Sequence, residues 1–283
     1  MYLIESATDS VFQYSLSTAY NLSTASYDSV SFSVGSQNVV PKALAFNNDG
    51  TKMYMAGQAA SATDVYQYTL STAFDLSTAS YDSVSFRASN ETITAGLAFN
   101  NDGTKMYIVG ANDDDVKQFS LSTAFDLSTA SSDSVALDVS GESSVPGSIA
   151  FNSDGSLIYV VGQIGQEVNK YSLSTAFDLS TASYEERFST SSQDTSPAGI
   201  MFSGDYTKMY LLGASNDTIY QYSTDANGNY NRMNSTKLNA VTDPNHYTLG
   251  NTLDLAIMLY TASAGSIPEF YTEFTSKSRI RGQ

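Results

Sequence analysis

A tandem repeat constrains this chain more than any other feature. The string Leu-Ser-Thr-Ala, followed by Tyr or Phe, begins at Leu16, Leu70, Leu121 and Leu173, so it recurs after 54, 51 and 52 residues. A second string, Phe-Asn-Asn-Asp-Gly-Thr-Lys-Met-Tyr, occupies 46–54 and 99–107 and persists in degenerate form at 151–159 and 202–210. A third, a polar loop and then a Val-Tyr-Gln-Tyr-like run, starts at Val11, Val65, Val116, Val168 and Ile219. Self-similarity at this period means that each unit is one supersecondary element, which buries its apolar faces against neighbouring copies.

Each unit reads as four short strands. Residues 43–46 form a compact apolar run that ends at Asn48-Asp49-Gly50. Asp-Gly supplies the positive φ angles of a tight hairpin. Residues 53–57 return from that turn, and 65–70 alternate as a third strand. The Ser/Thr/Ala-rich stretch 71–80 has weak helix preference and reads as a long loop with one helical turn. Residues 82–86 form the fourth strand, with Val84 and Phe86 on one face. Four antiparallel strands per repeat of this length describe a β-propeller blade. A solenoid would need shorter coils, and one isolated four-stranded sheet cannot bury both faces.

Counting strands predicts an all-β, single five-bladed propeller. Residues 1–4, 11–16 and 28–33 supply three strands without an inner one. Complete blades follow at 43–86, 96–139 and 148–189. A further blade begins at 199–202, 209–212 and 219–222 and takes its outer strand from 229–236. The run 253–259 then completes the N-terminal blade, so both chain ends share one sheet and no edge is left open. The propeller accordingly spans 1–261, with 224–261 as a divergent closing segment and 262–283 as an attachment tail.

The run Leu-Ala-Phe-Asn-Asn-Asp-Gly-Thr-Lys-Met-Tyr resembles the inner hairpin of YVTN-type and lactonase-like propellers, which show Phe-Ser-Pro-Asp-Gly before a Tyr-containing strand. The longer composite, with Leu-Ser-Thr-Ala-Phe-Asp-Leu and Ser-Thr-Ala-Ser-Tyr, is similar to repeats in proteins of marine bacteriophages and marine bacteria. The resemblance covers about residues 1–222. It implies the propeller and leaves function open, because this fold hosts lectins, hydrolases and scaffolds alike.

Composition removes several chemistries. No cysteine is present, which excludes disulfides, thiol nucleophiles, Cys-zinc sites and iron–sulfur clusters and leaves the redox compartment open. The net charge of -16 repels phosphate backbones and argues against nucleic acid. No apolar run reaches membrane-spanning length. The opening residues lack the basic and apolar regions of a signal peptide.

Candidate sites are few. The single histidine, His246, sits in a turn-like Asp-Pro-Asn-His context, which reads as a surface loop. Acids recur before the third strand (Asp9, Asp64, Asp115, Glu167, Asp217) and in the inner hairpins (Asp49, Asp102, Asp154, Asp205). Recurrence in every blade reads as structural, since an acid in a turn accepts backbone N–H bonds. Paired-carboxylate catalysis instead needs two unequal environments. Two clusters break the symmetry and are calcium candidates: Asp113 with Asp114, and Asp225 with Asn227 and Asn229, an incomplete calcium-loop ligand set. Tyr27, Tyr81 and Tyr184 precede outer strands and are candidates for glycan stacking. Lys277, Arg279 and Arg281 place positive charge on an acidic chain and are candidate contacts to another protein.

The expectation from these features is a non-enzymatic structural or interaction protein: a bacteriophage virion component (capsid decoration, tail or fibre) mediating assembly or host attachment. It would act in a multi-copy assembly, without catalytic residues, resident cofactor or membrane insertion, and would bind neighbouring virion or surface proteins through its C-terminal segment. The alternative is a lectin-like propeller at a bacterial surface, outside the cell. A third reading, a propeller hydrolase, requires non-repeated polar residues converging on the axial mouth.

Overall fold

The computed structural model describes residues 1–59, 64–88, 93–215 and 218–224, together with the backbone of 236–238 and 257–258. These residues form five four-stranded antiparallel sheets arranged as a β-propeller. The first sheet holds β1 (Tyr2–Glu5), β2 (Ser10–Leu16) and β3 (Ala25–Ser33). The second holds β4 (Pro41–Phe46), β5 (Lys52–Gly57), β6 (Asp64–Leu70) and β7 (Ala79–Arg87). The third holds β8 (Thr94–Phe99), β9 (Lys105–Gly110), β10 (Asp115–Leu121) and β11 (Ala130–Asp138). The fourth holds β12 (Pro146–Phe151), β13 (Leu157–Gly162), β14 (Glu167–Leu173) and β15 (Ala182–Ser189). The fifth holds β16 (Pro197–Phe202), β17 (Lys208–Gly213), β18 (Thr218–Ser223) and β19 (Thr236–Leu238). β20 (Ile257–Met258) returns to the first sheet, with Met258 opposite Tyr2 and Ile257 opposite Leu3.

The ring closes, because every neighbouring pair of sheets shares an apolar cluster. Ile4 and Val11 of the first sheet pack with Leu44 and Met53 of the second. Tyr54 and Val65 meet Leu97 and Phe119 of the third, and Tyr107 and Val116 meet Ile149 and Tyr171 of the fourth. Tyr159 and Val168 meet Ile200 and Tyr222 of the fifth. Tyr210 and Leu212 then meet Met1 and Leu22, which returns the circle to its start. Sequence repetition therefore becomes repetition of one interface, and each sheet buries both faces in neighbours.

The repeated strings build that interface. In the inner hairpin, Asn47 Oδ1 accepts from Lys52 N (2.9 Å) and Asp49 Oδ1 from Thr51 N (3.0 Å). Gly50, at φ +70°, is required because a Cβ there would lie 2.4 Å from the Phe74 ring. Phe74 itself comes from the Leu-Ser-Thr-Ala string. Its relatives hold the next contact: Tyr54 Oη donates to Phe125 O (2.5 Å), Tyr107 Oη to Phe177 O (2.5 Å) and Tyr210 Oη to Tyr20 O (2.7 Å). Each bond runs from one blade to the next.

Glutamines in the third strands add a second bridge. Gln13, Gln67 and Gln118 accept at 3.0 Å from the N–H of Leu76, Leu127 and Leu179, the first residue of the short 3-10 turn in the following blade. Gln221 does the same to Leu22 (3.3 Å) and so links the fifth blade to the first. The fourth blade carries Lys170 at this position, paired with Glu185 (2.9 Å) and Glu186 (3.3 Å). The fifth blade lacks the Leu-Ser-Thr-Ala string that a glutamine there would engage.

Five blades, the Asp-Gly hairpins and the shared closing sheet agree with the sequence reading. Strand limits differ. The outer strand of the second blade begins at Ala79 rather than 82, because Ser80 and Tyr81 pair with Thr69 and Tyr68 across a bulge. Ser83 takes φ +59° there. The expected 71–80 loop is thereby shortened. The last outer strand is described at Thr236–Leu238, where the expected 229–236 ends, and the closing inner strand at Ile257–Met258, within the expected 253–259. The proposed tail, 262–283, lies outside the described residues.

Candidate functional site

The inner strands converge on an axial cavity of about 370 Å³. Its wall is made of small or apolar side chains on β4, β8, β12 and β16, among them Ala45, Ala98, Ala150 and Met201. Its rim is made of the inner hairpins, with Asn48, Asn101 and Tyr206. A smaller pocket of about 90 Å³ lies where these strands begin, beside Lys42 and Gln163.

Most polar groups around the main cavity are committed to the ring. Asn48 Nδ2 donates to Asn101 O (2.5 Å) and Asn101 Nδ2 to Ser153 O (2.6 Å), tying hairpin to hairpin. Asn100 Oδ1 accepts from Lys105 N (2.9 Å). Ser203 Oγ donates to Asp205 Oδ1 (2.5 Å). The hairpin carboxylates are equally occupied. Side-chain and backbone bonds from Thr51, Thr104 and Ser156 hold Asp49, Asp102 and Asp154 below the usual carboxylate range. Burial pushes Asp205 up, but bonds from Ser203 and Thr207 outweigh it and the net shift is downward.

Several cavity residues break the repeat, Ser148, Tyr20 and Tyr206 among them. Ser148 stands where the other inner strands carry Ala43, Gly96 and Gly199. Tyr20 stands where the other Leu-Ser-Thr-Ala strings carry Phe74, Phe125 and Phe177. Tyr206 stands where the other hairpins carry Gly50, Gly103 and Gly155, and it keeps their left-handed backbone at φ +56°. Its ring stacks on Phe202 (centroids 5.8 Å apart, 27° between planes). That contact replaces Phe74 on Phe46, Phe125 on Phe99 and Phe177 on Phe151. Burial, then the nearby Asp154 charge, raises the pKa of Tyr206, so its hydroxyl stays protonated at neutral pH. Tyr20 reaches the same sector: a Cβ on Gly204 would lie 2.6 Å from its Oη.

The other sequence candidates sit elsewhere. Asp113 and Asp115 pair with Lys117 (2.6 and 3.0 Å). Asp114, at φ +52°, accepts from Val145 N (2.9 Å). Burial, then Asp138, Asp115 and Asp113, raise its pKa. Among the described residues no three His, Cys, Asp or Glu side chains are grouped to hold a metal. Asp9 O accepts from Val34 N (2.8 Å), Asp64 pairs with Arg87 (3.0 Å) and Glu167 with Arg187 (3.3 Å). Tyr27 packs on Tyr14 (5.3 Å between centroids), Tyr81 on Tyr68 (5.5 Å) and Tyr184 on Tyr171 (5.5 Å), all on outer strands away from the cavity. Asp217, Asp225, Asn227, Asn229, His246, Lys277, Arg279 and Arg281 lie outside the described residues.

Comparison with known proteins bears on function. The family model described as "Lactonase, 7-bladed beta-propeller" matches residues 2–175, more than half of the chain. No curated protein matches. Among solved structures, a functionally unknown protein from Desulfotomaculum acetoxidans superposes with TM-score 0.52 at 14% identity, covering 84% of this chain and 66% of that one. The periplasmic gluconolactonase of Pseudomonas aeruginosa superposes with TM-score 0.50 at 15% identity, covering 87% of this chain and 65% of that one. The chain thus spans just under two thirds of the length of these structures. At these identities the likeness is one of fold.

The family match overturns the expectation of a non-enzymatic virion component and points to a hydrolase, the third reading. Nothing in the comparisons concerns phage or marine origin. Acidity and the form of the N-terminus are surface and trafficking properties, which an enzyme shares with a scaffold. The blades are also not identical at one place. The sector where the fifth blade meets the first is not identical, and it faces the cavity.

Proposed function

The chain belongs to the lactonase, 7-bladed beta-propeller family, and from that premise we propose that it hydrolyses the ester bond of a small lactone bound in the axial cavity. The match over residues 2–175 carries this reading. A cavity of about 370 Å³ has the size of a small-molecule site. In the reaction, water adds to the ring carbonyl, the ring C–O bond breaks, and the product is a hydroxy acid that sheds one proton at neutral pH. The chain's part is to exclude bulk water, orient the ring and present hydroxyl donors to oxygens on which charge develops.

An uncharged sugar lactone of the gluconolactone class fits the lining. The described wall of the main cavity carries no Lys or Arg. A phosphate ester would call for cationic, charge-assisted partners, and the chain as a whole repels anions with its net charge of -16. The test is base uptake in a pH-stat with purified protein, corrected for spontaneous ring opening. Turnover of D-glucono-δ-lactone above background, exceeding that of its 6-phosphate, is expected. Rates equal to background for both would overturn the reading.

A further inference from the structure

We infer that Tyr20 and Tyr206 form the sugar-lactone recognition subsite of the axial cavity, in the sector where the fifth blade adjoins the first. The inference rests on the hydrolase reading and adds the residues that select the substrate.

The aromatic contact under each hairpin needs a ring only, and Phe74, Phe125 and Phe177 supply one without a hydroxyl. Tyr206 makes the equivalent contact with Phe202 from a left-handed backbone position that the other hairpins give to glycine. An aromatic residue in this region is strained. Tyr206 Oη has no hydrogen-bond partner among the described residues, although the residue lines the cavity. The hydroxyl is therefore surplus to packing. Tyr20 stands where its three counterparts are phenylalanine, and its Oη lies beside Gly204, two residues from Tyr206. Both departures from the repeat add a phenol at one wall of one cavity.

Two phenols beside small apolar side chains, with Ser148 and the rim amides of Asn48 and Asn101 in the same lining, suit a polyhydroxylated ring. Each ring offers a flat apolar face, and each hydroxyl can donate to a carbonyl or accept from a sugar hydroxyl. The wall facing them, with Ala45, Ala98 and Ala150, has little to offer an oxygen.

The experiment compares wild type with Y206F, Y20F and the control Y184F, whose hydroxyl is on an exposed outer strand. Two quantities are read on the full chain: kcat/KM for D-glucono-δ-lactone, and calorimetric Kd for the unreactive D-glucono-δ-lactam. Y206F and Y20F should each lower kcat/KM and weaken lactam binding about five- to tenfold, the worth of one neutral hydrogen bond. Y184F should match wild type in both readings, and Y206F and Y184F should melt with wild type because the rings remain. Turnover by wild type with unchanged values in Y206F and Y20F refutes the subsite and leaves the hydrolase reading intact. Lactam binding that weakens in Y206F, without turnover by wild type, keeps the subsite and removes the hydrolase reading. Absence of both turnover and binding removes both.

Discussion

Replacing Gln67 by alanine should destabilise the ring far more than replacing Lys170, its counterpart two blades on. Gln67 is 3% exposed and serves two partners in two blades. Its Oε1 accepts from Leu127 N at 3.0 Å, and its Nε2 donates to Asp82 Oδ2 at 2.9 Å. Truncation strands a buried N–H, which costs about 1–3 kcal/mol, and removes a charge-assisted bond to a carboxylate, about 1.5–3 kcal/mol in a buried setting. Lys52, 3.6 Å from Asp82, remains to compensate that carboxylate, so the lower half of the sum applies: about 2.5–4 kcal/mol. Lys170 pairs with Glu185 and Glu186 of its own blade, which are 37% and 57% exposed. Such pairs are worth roughly 0–1 kcal/mol. Urea unfolding followed by far-UV circular dichroism gives both values from midpoint and slope. Equal losses for Q67A and K170A, or a Q67A loss under about 0.5 kcal/mol, would refute the view that glutamine bridges bind blade to blade.

Three further outcomes follow from the same contacts. Gly103→Ala should cost about 2–4 kcal/mol, because a Cβ would lie 2.2 Å from the Phe125 ring at φ +72°; a neutral melt would contradict it. D102N should be less stable than wild type at neutral pH, with the gap closing on acidification. The depressed carboxylate contributes fully above about pH 4, its ordinary range, and loses that contribution as pH falls through its own lower value. Tyr54 and Tyr107 shift the other way, raised by burial, then by nearby carboxylates. Their contribution is complete below about pH 10 and fades above it, so wild type should lose stability in alkali more steeply than a Y54F/Y107F variant.

Much of this architecture was legible because each repeated string performs one local task. Asp-Gly makes a hairpin, alternation makes a strand, and an inner strand missing at one end is found at the other. The outer strand was read short because Ser80 belongs to a Ser/Thr/Ala-rich stretch that reads as loop by type, and its pairing with β6 across the bulge is what holds it in the sheet. The site was less legible. Tyr20, Ser148 and Tyr206 lie far apart in the chain, and each looks conservative or degenerate alone. Their signal appears only when the copies are aligned: one Tyr among Phe, one Ser among Ala and Gly, one Tyr among Gly. Attention to what recurred found the scaffold and passed over the substitutions that distinguish one sector.

Five blades rather than the seven of the family description place a specific demand on the axis. Fewer blades turn through a wider wedge each, so their inner strands crowd closer together. Small side chains relieve that crowding. A Cβ on Gly96 would meet Ser148 Cα at 2.9 Å, and one on Gly147 would meet Ala198 O at 3.1 Å. Ala43 and Ala45 are buried at the corresponding level of the second blade. The demand also limits chemistry, since a wall of glycine and alanine has few atoms with which to grip a polar molecule. Functional groups must then come from the hairpin rim, and the rim is largely occupied by bonds between Asn48, Asn101 and Ser153. The fifth hairpin has Gly204 where these have Asn48 and Asn101, and so makes no such amide bond. A narrow ring thus concentrates its capacity for recognition at the seam where the repeat ends, which is where Tyr20 and Tyr206 stand.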